Sequence, residues 1–146
     1  MSIVEVIAAA LVAGAFMALL TEAGHRAGVI RGNLLRVDGE FALKKSGIKT
    51  EPALVHMTGI VVHLVTSAVF GAVLFGIGEI ADINVSTIKV IAPYVFILWL
   101  AMLFVALPVA GQGILGRRIG PWVWMEQFVA HIVFGAVLWE MIGVLS

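Results

Sequence analysis

PWVWMEQFVAHIVFGAVLWEMIGVL, residues 121–145, is a run of 25 positions with two carboxylates and neither lysine nor arginine. A helix that crosses a bilayer core about 30 Å thick needs roughly 20 mostly apolar residues. This stretch meets that requirement, and so do three others, at approximately 3–23, 53–77 and 90–111. The reading that follows is an all-α bundle of four transmembrane helices. Composition agrees, because 62% of the 146 residues are apolar and 12% are charged, with a mean hydropathy of +1.12. A soluble domain of this length has too little interior to hide that much apolar surface. No segment between the stretches is long enough for a second core, so residues 1–146 are read as a single membrane domain.

The punctuation around the four stretches is consistent with this. Pro52 and Pro121 stand where the second and fourth helices open, and Pro93 stands near the start of the third, where a missing N–H costs little. Pro108 falls inside the third stretch near its end, and Gly111 and Gly113 follow, so a kink or early termination is expected there. The first stretch is expected to be a retained helix, because no basic residue precedes it and Glu5 is its only early charge. Eight cations set the orientation: Arg26, Arg31, Arg36, Lys44, Lys45 and Lys49 between helices one and two, and Arg117 and Arg118 between three and four. Only Lys89 lies between helices two and three, so the positive-inside rule predicts that loops one and three are cytoplasmic and both termini outside.

Within the first loop, residues 30–45 place apolar Ile30, Leu34, Val37 and Phe41 among charges at Arg31, Arg36, Asp38, Glu40, Lys44 and Lys45. That spacing predicts a short amphipathic helix, lying on anionic headgroups or docking a cytoplasmic partner, with Gly32 and Gly39 working against helicity.

His63 and His131 carry the sequence's strongest functional signal, because ionisable groups at membrane depth are costly and face a bundle interior or a cavity. Each lies ten residues past the opening of its helix, at Ala53 and Pro121, which at about 1.5 Å per residue puts both near the bilayer midplane. Gly59, His63, Ser67 and Gly71 recur every four residues, as do Gln127, His131 and Gly135, so each set forms one stripe suited to close helix packing. The pentapeptide Phe70-Gly71-Ala72-Val73-Leu74 returns as residues 134–138. A fainter echo pairs Phe16, Ala18 and Leu19 with Phe104, Ala106 and Leu107, and the chain reads as two tandem hairpins in parallel orientation.

Three roles compete for the histidine pair. Each imidazole can bond a backbone carbonyl or a hydroxyl and orient the bundle. The two can ligate a b-type haem, with neighbouring glycines leaving room for the macrocycle. Or His63, His131 and Gln127 can form a polar track for protons or small solutes. A second group, Glu22, His25, His56 and Glu126, gathers near the cytoplasmic surface and has the ligand types for zinc, iron or copper. The same residues suit ion pairs, Glu22 with Arg26 and Glu126 with Arg117 or Arg118. Trp122, Trp124 and Trp139 suit aromatic belts, and Trp99 is expected to face lipid or a partner.

No phosphate loop, nucleophile elbow or triad is present, no cysteine is available for thiol or iron–sulfur chemistry, and the zero net charge gives no reason to expect nucleic acid. The chain is therefore not expected to be catalytic on its own. The segments Leu98-Trp99-Leu100-Ala101-Met102, Leu107-Pro108-Val109-Ala110-Gly111 and residues 130–138 resemble the small YagU-like inner-membrane proteins of unknown function. That resemblance implies a four-helix membrane fold in a prokaryotic cell membrane and carries no activity with it. With little mass outside the bilayer and stripes of small residues, the expected role is an accessory or scaffold subunit. It would pack against copies of itself or within a larger, respiratory or other redox, complex.

Overall fold

The structure is a computed structural model that describes residues 1–145, and among these the regular elements are helices, without strands. Four helices are long and apolar enough to cross a membrane: α1 (Ile3–Arg26), α3 (Pro52–Ala81), α4 (Ile88–Val109) and α5 (Val123–Leu145). Between the first two stands α2 (Leu34–Lys45). α1 opens with a capping box, in which Ser2 and Glu5 satisfy each other's first-turn backbone N–H groups. α3 begins on Pro52 and ends at Asp82 in a left-handed cap. Two boundaries differ from expectation. α4 begins at Ile88, which leaves Pro93 inside the helix, and Pro121 lies in a turn before α5 opens at Val123.

α1 is the spine. It packs on α3 on one side and on α5 on the other, and α4 packs on α5. Its inner face is built from small residues, with Ala9, Ala10 and Ala13 fully buried, so that neighbouring backbones approach closely. Gly71 meets Ala10 and the backbone of Ile7 and Val6, Gly14 receives Ser67, and Gly135 receives Val95 of α4. Trp99 does not face lipid alone: its Nε1 donates to the Trp124 carbonyl at 3.1 Å and its ring stands edge-on to Phe128 at 4.9 Å, tying α4 to α5. Each such bond contributes about 1 kcal/mol.

The Pro108 irregularity takes the form of a π turn at Met102–Ala106, in which the Leu107 N–H bonds the Met102 carbonyl five residues back. Proline cannot donate to the carbonyl four residues earlier and its ring crowds that oxygen, and one extra residue in the turn relieves the conflict. The insertion also rotates everything after it by about 100°. Leu107 is consequently buried at 2% exposure while Leu19, its counterpart in the faint echo, is 68% exposed. That echo is one of letters and not of packing.

α2 has three faces where a two-faced helix was expected. Leu35, Gly39 and Leu43 are buried, with the Leu35 carbonyl against Gly59 and the Val55 carbonyl against Gly39, so α2 and α3 run antiparallel in near backbone contact. Gly39, which weakens the helix locally, is the notch that lets it dock. A second stripe carries Arg36, Glu40 and Lys44, linked by i,i+4 ion pairs of 2.7 and 3.5 Å. The third, with Leu34, Val37 and Asp38, faces a cleft. Phe41, placed by periodicity on the packed face, is exposed.

Candidate functional site

The cleft lies between α3 and α4, with α1 and α5 beneath it and α2 at one end, and encloses about 340 Å³. Phe70, Met102, Val105 and Phe134 give it largely apolar walls, to which the π turn contributes three side chains, Met102, Val105 and Ala106. Beside Phe70 the two flanking helices are joined, where Tyr94 Oη donates to the Phe70 carbonyl at 2.6 Å.

Three titratable side chains line it: Asp38 from α2, His63 from α3 and His131 from α5. His63 Nε2 lies 3.1 Å from the Gly14 carbonyl. A carbonyl only accepts, so Nε2 carries a hydrogen, and Nδ1 is left facing Asp38 Oδ2 at 3.9 Å, within ion-pair reach but too long for a direct hydrogen bond. His131 Nδ1 lies 2.8 Å from the Gln127 carbonyl and by the same logic is a donor. Ser67 donates to the His63 carbonyl at 2.9 Å. Both imidazoles thus bond backbone carbonyls, of Gly14 and of Gln127.

Partial burial, which leaves 34% of the Asp38 side chain exposed, pushes its carboxyl from the ordinary 3.8 up to about 7. Because the folded value lies above the unfolded one, the native state binds the proton more tightly. Its contribution to stability is complete below about pH 4 and is lost as pH rises to about 7. The thermal midpoint of the purified protein is therefore expected to fall over that interval. Asp38→Asn should flatten the profile, and an unchanged slope would remove Asp38 from the cause.

The other predicted site residues are placed differently. Glu22 pairs with Arg26 at 2.6 Å and accepts from Asn33 Nδ2 at 2.9 Å. His25 Nδ1 meets the Ile30 carbonyl at 3.0 Å, and His25 and His56 line a separate pocket of about 300 Å³. Glu126 does not reach Arg117 or Arg118. Its Oε2 accepts from the backbone N–H groups of Arg31 and Gly32 at 3.0 and 2.9 Å. Among the described residues no three His, Asp or Glu side chains converge in a way that could hold a metal ion, so this quartet lacks a ligand set. The reason is that a turn at residues 30–33, unforeseen in the sequence, consumes the carboxylates.

Gln127 is fully buried, with Nε2 donating to the Gly32 carbonyl at 3.1 Å and Oε1 unpartnered, and it is not among the cleft's lining residues. The polar track therefore stops at the two histidines. Haem also fits poorly, because His63 Nε2 is committed to Gly14, and Gly59, Gly71 and Gly135 are filled by Leu35, α1 and Val95. The room that the glycines offered a macrocycle is taken by helices.

Asp38 was not singled out in the sequence, although a signal exists. On a helical projection it lies about 40° from Leu34, at the edge of the arc of Leu34, Val37 and Phe41, a carboxylate bordering an apolar face. No known protein family, curated protein or solved structure matches this chain.

Proposed function

We propose that this protein binds a small amphiphilic molecule inside the membrane, in the cleft between α3 and α4. The observation that carries the reading is the cleft itself, about 340 Å³ of apolar space on which all three of Asp38, His63 and His131 open. A mostly apolar pocket with a few convergent polar groups is the usual form of a small-molecule site. The body of the ligand lies against Phe70, Val105 and Phe134 and its polar head against the titratable groups. Passage of that molecule across or along the bilayer is the transport role already raised by the histidines.

The remaining features fit around this reading. α1 with α3 and α4 with α5 form two repeated hairpins, a reading supported by the shared pentapeptide, since Gly71 and Gly135 each pack on the hairpin partner of their own helix. By the cation bias, the ends that carry α2 and residues 110–122 face the cytoplasm. The likeness to the YagU-like proteins supports a cell membrane as the site of action. A role as an accessory subunit needs a partner to cover an outer face, whereas the cleft reading needs only the ligand.

A neutral medium-chain alcohol carrying a diazirine tests it on the protein in lipid nanodiscs. Photolabelling is expected to concentrate on the cleft side chains Phe70, Met102 and Val105. Ala106→Trp, which fills the cleft from α4, should abolish that labelling without loss of the folded protein. Label spread evenly over the lipid-facing residues of both forms would overturn the reading.

A further inference from the structure

At the polar end of the cleft a single proton between Asp38 and His63 decides what can bind. With Nε2–H fixed on the Gly14 carbonyl, neutral His63 presents a lone pair at Nδ1 toward the Asp38 carboxylate 3.9 Å away. A lone pair and a carboxylate oxygen repel, and a single proton between them, on either Oδ2 or Nδ1, turns repulsion into a hydrogen bond or an ion pair. His131 offers only another lone pair, because its Nδ1–H is spent on the Gln127 carbonyl. The Ser67 hydroxyl is likewise committed, to the His63 carbonyl.

Among the described residues no lysine or arginine lines the cleft. From α2 itself, Arg36 and Glu40 bond each other on the opposite stripe. The α1 and α4 walls contribute no titratable side chain, and α3 and α5 contribute only the two histidines. When the shared proton leaves, the site therefore carries one uncompensated negative charge, in a cleft that the side chains of Phe70 and Phe134 also line. An anion finds no fixed cation there, and a neutral molecule leaves the charge unpaired. A hydrophobic cation satisfies it, with the aromatic faces adding attraction.

The geometry assigns to this cleft a lipophilic organic cation as ligand, bound in exchange for the single proton that Asp38 and His63 share. The assignment rests on the cleft being a binding site. The exchange balances simply: the O–H or N–H bond of the pair breaks, the proton goes to water, and the positive charge of the ligand takes its place. The Asp38 carboxyl, raised by burial to about 7, puts the exchange near neutral pH, and the titration belongs to the pair and not to either residue alone.

The test uses full-length protein in zwitterionic nanodiscs and benzyltrimethylammonium, an aromatic cation with no proton of its own. Its neutral isostere neopentylbenzene serves as the control. Cation affinity, read by equilibrium dialysis, is expected to rise about tenfold per pH unit up to about pH 7 and then level off, with one proton released per cation bound in weak buffer on the rising limb and none on the plateau. Asp38→Asn should remove the slope and lower cation affinity to that of the neutral isostere, while Asp38→Glu should retain the slope. Wild-type affinity that is flat between about pH 5 and about pH 8, or binding without proton release at about pH 5 to 6, would overturn the assignment whether or not the variants fold. If the diazirine alcohol still labels the cleft in that case, the site stands and only its ligand class falls. If that label too is spread over the lipid face, both readings fall together.

Discussion

Replacing Gly59 by alanine is expected to destabilise the protein by about 2 kcal/mol, and by leucine to detach α2 from α3 altogether. A Cβ at this position meets the Leu35 carbonyl, carbon and Cα, which are backbone atoms that cannot rotate away. Alanine improves helix propensity by about 1 kcal/mol over glycine, yet the two helices must move apart to admit it. Separation also breaks the reciprocal contact of Gly39 with the Val55 carbonyl. Close approach here brings Cα–H groups onto carbonyl oxygens at two places, each worth roughly 0.5–1 kcal/mol, and both are lost together. Gly76→Ala is the matched control, because nothing lies within 4 Å of its Cβ position, and it should be neutral or slightly stabilising. Thermal unfolding of the three purified proteins measures the difference. Equal midpoints for Gly59→Ala and Gly76→Ala would show that the α2–α3 seam contributes nothing. Since α2 brings Asp38 to the cleft, Gly59→Leu should also abolish any pH dependence that Asp38 confers.

Glu126→Ala should release the turn that leads into α2. One carboxylate oxygen accepts from both Arg31 and Gly32, at 3.0 and 2.9 Å, and holds the chain at the first turn of α5. Bonds to a charged acceptor contribute about 1.5–3 kcal/mol, and removing the acceptor leaves the buried Gly32 N–H without a partner. A loss of roughly 2–3 kcal/mol is expected, with amide exchange accelerated at Arg31 and Gly32 and little changed in α4. Gln127, fully buried and bonded to the Gly32 carbonyl, should lose its only side-chain partner in the same event. Glu126→Gln retains an acceptor oxygen and should fall between the two. Unaltered exchange at residues 31 and 32 in Glu126→Ala would mean that the turn is held by other contacts.

Why Asp38 escaped notice while His63 and His131 did not follows from how each signal is written. An imidazole inside a run of some 20 apolar residues stands out against its surroundings, and hydropathy, helix rise and side-chain direction are all local properties. Asp38 sits in a charged loop segment, where a carboxylate is ordinary, and only its contact with α3 makes it unusual. The glycine stripes were legible as surfaces of close approach, but the identity of the approaching partner was not. Gly59 receives α2, and the glycines that offered space for a macrocycle are filled. Glu22 and Glu126 were legible as a polar cluster at one end of the bundle. Their hydrogen-bond partners, Asn33 and the backbone of Arg31 and Gly32, depend on how an irregular turn folds back, which no periodicity records.

By itself the sequence determined four apolar helices with bounds within a few residues, the irregularity at Pro108 and the two histidines, because each follows from forces that act within a single helix or between a helix and its solvent. The tertiary structure alone decided that α2 lies along α3, that the π turn opens a cleft wall, and that Asp38 meets His63 from 25 residues away in the chain. Those depend on which backbones can touch, and that is settled by the shapes of two surfaces together and never by one strand of sequence read alone.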